Sequence, residues 1–190
     1  MGLSPQTVLL LVDLQKAIDD PSWGVRNNPQ AEKNIERLIS HWRKLCLPVV
    51  HVRHVSRDPR SPYRDGQIGV EFKQFARPLP SEPVVTKHVC TAFIGTDLES
   101  RLREMGVEEV VIVGVITNNS IESTARVCGD LGFRTIVVAD GTFTFGRRDH
   151  AGQMRSAEEV HAMSLANLEG EYARVLTTDH ILEMSGTYRG

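Results

Sequence analysis

Three polar residues stand where apolar runs give out, and their types suit a single reaction. Asp13 closes Val8-Leu9-Leu10-Leu11-Val12, Lys87 follows Val84-Val85-Thr86, and Ser120 follows the run from Val110 to Ile116 and a polar Thr117-Asn118-Asn119 cluster. A carboxylate takes a proton, an ammonium steadies negative charge, and a hydroxyl attacks a carbonyl carbon. Singly, each has a plain structural role. Aspartate at a strand end is a common turn residue, lysine there is commonly a solvated charge, and serine often opens a helix. The joint placement is what points to catalysis.

The elements that must position them are legible as periodicities. Val110 to Val115 is β-branched and wholly apolar apart from Gly114, the pattern of a strand buried on both faces of a parallel sheet. From Ile121 the spacing becomes helical through Thr124, Ala125 and Cys128, with Gly132 as the helix stop. Such an abrupt strand-to-helix turn presents free N–H groups and the positive end of a helix dipole at Ser120. Further strands are expected at Val8–Val12, Pro48–Val52, Val84–Thr86, Thr135–Ala139 and Ala173–Leu176. Asn28-Pro29 reads as N-cap and first residue of a helix bearing Ile35, Leu38, Ile39, Trp42 and Leu45. Thr96 with Glu99, and Ser156 with Glu159, read as capping boxes, the second opening a helix that runs to about Asn167. A last helix begins near Thr178. Strands alternating with helices predict an α/β, three-layer αβα fold with a six-stranded, mainly parallel, doubly wound sheet. If the strand order reverses between strands one and four, all three polar residues converge on one crevice. The long segment from Arg53 to Pro83 has the length of a lid or binding loop.

Composition narrows the functional classes. The chain of 190 residues is 41% hydrophobic with a net charge of −2, which fits one domain over 1–190 and offers no basic stripe for nucleic acid. No apolar run approaches the ~20 residues of a membrane span. No leader pattern is read at the start, and Cys46, Cys90 and Cys128 form an odd set without a CxxC, arguing against disulfides and structural zinc. A cytoplasmic protein acting on a small molecule, without nucleic acid, membrane or cofactor, is expected.

Three ordered motifs then carry a resemblance. Leu11-Val12-Asp13-Leu14-Gln15, Lys87-His88-Val89-Cys90-Thr91-Ala92-Phe93 and Gly114 through Arg126 resemble the isochorismatase-like hydrolases, a superfamily that includes nicotinamidase, N-carbamoylsarcosine amidase and isochorismatase. In the amidase branch an Asp, a Lys and a Cys form the triad. The resemblance maps the first two onto Asp13 and Lys87 and the cysteine onto Ser120, which is the departure that matters. It implies a cis peptide at Val115-Ile116, aiming the Ile116 and Ser120 N–H groups as an oxyanion hole. It also implies a homo-oligomer, dimer or tetramer. An alcohol is far less acidic than a thiol of pKa ~8.5, and serine nucleophiles normally rely on histidine. Among the histidines, His51, His54, His88, His150 and His161 are the ones to follow in space. Three readings of the serine stand: a natural subgroup with altered chemistry, a Cys→Ser replacement, or a binder that has lost catalysis. The isochorismatase branch cleaves a vinyl ether with the Asp as general acid, although it carries glycine at the position of Ser120.

Weaker signals complete the reading. Gln15, Phe93, Asn119 and Phe145 are candidate substrate contacts, and one of Arg53, Arg57, Arg60 and Arg64 is a candidate carboxylate clamp. Nicotinamidases hold a metal through an Asp-x-His pair after strand two; the matching positions here are His54 and Ser56, and no metal is expected. His161 reads as a core or interface histidine, and Cys128 as a core residue.

Overall fold

The computed structural model describes residues 3–185, so both extremes of the span expected as one domain lie outside the described residues. The apolar runs form β1 (Thr7–Val12), β2 (Val49–His54), β3 (Val84–Lys87), β4 (Glu109–Val115) and β5 (Arg134–Phe143). A short hairpin, β6 (Arg147–Arg148) and β7 (Met154–Arg155), precedes β8 (Arg174–Leu176). The large sheet has the order β3-β2-β1-β4-β5-β8 with every neighbouring pair parallel. The chain therefore starts in the middle, builds outward to β3, and crosses back to β4 on the other side of β1. The expected reversal is present, and it opens a crevice at the carboxyl ends of β1 and β4.

Alternation along the central strands explains why both faces are covered. Leu9 and Leu11 of β1 pack with Val111 and Val113 of β4 under α1 (Ala31–Lys44), where Ile35, Leu38 and Trp42 are buried. Val8, Leu10 and Val12 pack with Val110 and Ile112 on the opposite face. That face is covered by Leu98 and Leu102 of α2 (Leu98–Glu104) and by Ala125 and Cys128 of α3 (Glu122–Asp130). Each fully buried Leu, Ile or Val contributes roughly 1.5–3 kcal/mol. Residues of α4 (Ala157–Ala166) and α5 (Thr178–Ser185) close the layers. Among the described residues no helix is long and apolar enough to cross a membrane.

Several local readings are corrected by tertiary demands. Asn28 does not cap α1, which starts at Ala31; it adopts φ 46° and its Nδ2 donates to Ala139 O (2.9 Å) and Thr142 O (2.8 Å), tying the far end of β5. Thr96 and Glu99 form no capping box, because the Thr96 hydroxyl donates backward to Ala92 O (2.6 Å). The box at Ser156 and Glu159 is formed. β5 runs past its expected end through an irregularity opposite Ile112 and Gly114. Asp140, read as a strand end, accepts from the Thr178 N–H (2.7 Å) and hydroxyl (2.8 Å) at the start of α5. The Arg53–Pro83 segment is pinned at Glu82, which takes two bonds from Arg43 and one from Leu79 N–H, and whose carboxyl drops to about 2 against the cost of burial.

Gly114 is the tightest constraint in the sheet. It pairs with Val12, has φ 125°, and a Cβ there would lie 2.1 Å from Val12 O. The glycine lets β1 and β4 run close together up to the point where Asp13 and the Ser120 turn diverge. Gly114→Ala is expected to destabilise the fold by about 2–4 kcal/mol through strained backbone and steric overlap. Urea denaturation should show this as a lower midpoint with unchanged slope.

Candidate active site

Asp13 leaves β1 in a left-handed conformation (φ 54°), its N–H donating to Val52 O (3.0 Å). Asparagine and aspartate tolerate this region better than other non-glycine residues. Gln15 holds the corner in place. Its Nε2 donates to the carbonyls of His54 (2.9 Å) and Val70 (3.0 Å), and its Oε1 accepts from His54 N–H (2.7 Å). The amide is fully buried and spent on the backbone, so the expected substrate contact gives way to a structural bridge.

Lys87 reaches the same point from two strands away. Only 1% exposed, its Nζ lies 2.8 Å from Asp13 Oδ2 and donates to Val89 O (3.1 Å) and Ser120 Oγ (3.2 Å). His54 Nδ1 lies 3.4 Å from the same nitrogen. Asp13 Oδ1 is buried without a hydrogen-bond partner. Burial pushes the Asp13 carboxyl above the usual carboxylate range, opposed by Lys87 and by the Ser120 hydroxyl. Burying either ion alone would cost several kcal/mol, so the pair is mutually dependent.

Ser120 is presented by a widened turn, Thr117–Ile121, in which Ile116 O accepts from both Asn119 N–H (3.0 Å) and Ile121 N–H (3.2 Å). α4 buttresses that turn. His161 Nδ1 meets Thr117 Oγ1 at 2.9 Å, and the Ser164 hydroxyl lies within reach of Thr117 O (3.2 Å) and Glu122 Oε2 (2.6 Å). The Val115–Ile116 peptide is cis.

The histidines sort themselves by these contacts. His161 is a buried support for the turn, and His51 faces Glu82 at 2.8 Å. His88 Nδ1 meets Val55 O at 2.8 Å, and His150 sits exposed on the β6–β7 hairpin. His54 approaches the triad, through Lys87. Burial, with Lys87 adding to it, lowers its imidazole to about 4, so it is neutral at pH 7. An ammonium facing its Nδ1 does not suit a metal ligand, and no cluster of three His, Cys, Asp or Glu among the described residues could hold an ion. Cys128 is buried beneath α3 with its thiol pushed up to about 12.

A cavity of about 290 Å³ opens beside the Ser120 turn, walled by Trp23, Ile116, Asn119, Phe145 and Arg147 among others. Trp23 stacks on Phe145 with centroids 5.8 Å apart. Asp13, Lys87 and Ser120 are not among its lining residues, while Asn119 and Phe145, the latter part of the buried core, border it. Phe93 does not; it stacks on Phe133 (6.5 Å) in the core between sheet and helices. None of the four loop arginines borders the cavity: Arg53 donates to Thr86 Oγ1, Arg60 pairs with Asp58 and Arg64 donates to Pro59 O. The arginine that does border it is Arg147, exposed and with no ion pair or side-chain hydrogen bond among the described residues.

The isochorismatase-domain family profile matches residues 7–180. The chain belongs to the isochorismatase family. An isochorismatase-family protein from Chromobacterium violaceum is 50% identical in sequence and superposes with a TM-score of 0.94, covering 98% of each chain. The isochorismatase family protein YrdC of Bacillus subtilis is 38% identical over 95% of this chain and 96% of its own. Nicotinamidase 3 of Arabidopsis thaliana is 28% identical over 91% of this chain and 85% of its own. The doubly wound αβα sheet of this isochorismatase-family hydrolase is thus shared with its solved relative.

The buried pair makes a stability prediction. Lys87→Met leaves Asp13 with an uncompensated buried charge and should cost about 3–5 kcal/mol. Asp13→Asn combined with Lys87→Met removes both charges and should recover more than half of that loss. Urea unfolding of the two single variants and the double variant measures the coupling.

Proposed function

We propose that this hydrolase cleaves a C–N bond of a small amide, carbamoyl or ureido substrate, with Asp13 as base, Lys87 as electrostatic partner and Ser120 as nucleophile. The observation that carries this reading is the Asp13 carboxylate, whose Oδ1 is left without a partner while Lys87 Nζ bridges its Oδ2 to the Ser120 hydroxyl. The Ser120 proton passes to Asp13, and Oγ forms a bond to the substrate carbonyl carbon. The displaced electron pair collects on the carbonyl oxygen, held by the N–H groups of Ile116 and Ser120 at the turn. Asp13 returns the proton to the departing nitrogen as the C–N bond breaks. Water, deprotonated by the same carboxylate, then cleaves the acyl-serine ester and Oγ recovers its proton.

The physical objection to serine is its weak acidity, and the site answers part of it. A carboxylate whose pKa is raised by burial is a stronger base than a solvated one, and Lys87 stabilises the oxyanion-like Oγ as it forms. Similarity to a nicotinamidase supports amide chemistry. Arg147, uncommitted at the cavity wall, supports a substrate with a carboxylate, since a guanidinium pairs such a group bidentately. The same raised Asp13 favours a second reading, in which the carboxyl is a general acid for cleavage of a vinyl ether; release of pyruvate from isochorismate, lost in Asp13→Asn, would support it.

Hydrolysis of a panel of primary amides and N-carbamoyl acids, followed by ammonia release, tests the main reading. Wild type should turn over at least one of them, Asp13→Asn and Ser120→Ala should be inactive, and Ser120→Cys should raise kcat/KM by about tenfold or more. Inactivity of both wild type and Ser120→Cys would leave a small-molecule binder instead.

A further inference from the structure

The three reacting groups are shut off from the cavity beside the Ser120 turn. Asp13, Lys87 and Ser120 are only 4%, 1% and 7% exposed, and none of them lines it. An attacked carbonyl carbon must come within about 3–3.5 Å of Ser120 Oγ, so part of the covering shell has to move before any substrate reacts. The inner layer of that shell is Tyr63, buried, with its hydroxyl 3.5 Å from Asp13 O. Trp23, only partly buried, meets Tyr63 edge-on (centroids 6.5 Å) and stacks on Phe145 at the cavity wall.

Trp23 is the loosest part of this shell. Ile116 belongs to the turn that α4 braces, and Phe145 is bridged to Arg26. Trp23 instead rides on a strap, residues 20–25, tied down at its two ends. Asp19 accepts from Lys73 Nζ (2.6 Å) on one side, and Asn27 N–H donates to Thr144 O (3.1 Å) on the other. Between them the bonds stay local: Trp23 N–H donates to Asp20 O (3.1 Å), Gly24 N–H to Pro21 O (3.2 Å), and Trp23 Nε1 to Ala17 O (2.9 Å). Gly24 has φ 85° and open space around it. Trp23 also borders a second hollow, of about 630 Å³, lined by Val25, Met154 and Ala157 among others. Val25 and Met154 are exposed there, an apolar surface with a thioether that packs well on aromatic rings.

We propose that Trp23 is the gate of this site: the 20–25 strap swings the indole off Phe145 toward Met154, and the opening left beside Ile116 sets the size of molecule that reaches Ser120. This rests on Ser120 being the reacting group, as in the reading above, and not on amide chemistry. A gate of this kind shuts water out once it closes over a substrate.

Alkylation of the thiol that Ser120→Cys introduces reads the gate without turnover. The thiols at 46, 90, 120 and 128 fall on separate tryptic peptides. Exposed Cys46 and Cys90 therefore serve as open references, and buried Cys128 reports unfolding. Iodoacetamide should label position 120 at least about tenfold more slowly than Cys90, because a site reached through a transient opening reacts in proportion to its open population. A fluorescein maleimide should be excluded more strongly still. Adding Trp23→Ala should speed both reagents at position 120, the bulky one more, with Cys46 and Cys90 unchanged and Cys128 still protected. Trp23→Phe should fall between, and it decides the matter if Trp23→Ala unmasks Cys128. Labelling of position 120 as fast as Cys90 in the single variant overturns the proposal, as does a small-to-large reagent ratio that neither Trp23 change alters. Gated labelling in a protein that hydrolyses no amide would uphold the gate and sink the hydrolytic reading. Amide hydrolysis with ungated labelling would do the reverse.

Discussion

A buried ion pair sets the terms for everything around it. Asp13 and Lys87 come from separate strands and meet at 2.8 Å with almost no exposure. Neither charge is tolerable there alone, because desolvation of an ion costs several kcal/mol. The sheet must therefore hold β1 and β3 in register around β2. The loop that leaves β2 must also shield the pair, which it does with Tyr63, whose hydroxyl lies 3.5 Å from Asp13 O and whose phenol burial pushes well above its ordinary pKa. Such a pair adds little net stability compared with apolar residues of similar volume. Its retention in this fold is understandable if the charges act on a third group, and Ser120 Oγ lies 3.2 Å from the ammonium.

The position of that third group follows from the strand order. Because β4 returns beside β1, the turn after β4 opens next to the end of β1, and the missing side chain at Gly114 allows the two backbones to approach. α4 then fixes the turn from behind through His161 and Ser164. Carboxylate, ammonium and hydroxyl are thus each held by a different element, and the aromatic pair Trp23 and Phe145 closes the near wall of the cavity. Preorganisation of this kind keeps charge stabilisation in place before the reaction begins.

Most of this was legible in the sequence wherever a residue's role is set by its own element. The strands, their burial on both faces, and the chemistry-bearing residues at their tips follow from periodicity and position. What escaped was set by partners distant in the chain. Asn28 looks like a helix cap until Ala139 and Thr142 claim its amide, and Thr96 until Ala92 claims its hydroxyl. Gln15 carries the right chemistry for a ligand contact, but β2 and the following loop consume it. Phe93 follows a strand end as Phe145 does, yet the chain turns it into the core. Arg147 escaped because the two-residue ladder that carries it leaves almost no periodic signal.

The central claim is that the Asp13 carboxylate makes the Ser120 hydroxyl nucleophilic. Brief treatment with p-nitrophenyl acetate, followed by peptide mass mapping, tests it most directly. The acetyl group should be found on Ser120 and should be absent from the same peptide of a folded Asp13→Asn variant. Labelling confined to other side chains, or acetylation of Ser120 at an equal rate in Asp13→Asn, would contradict the account.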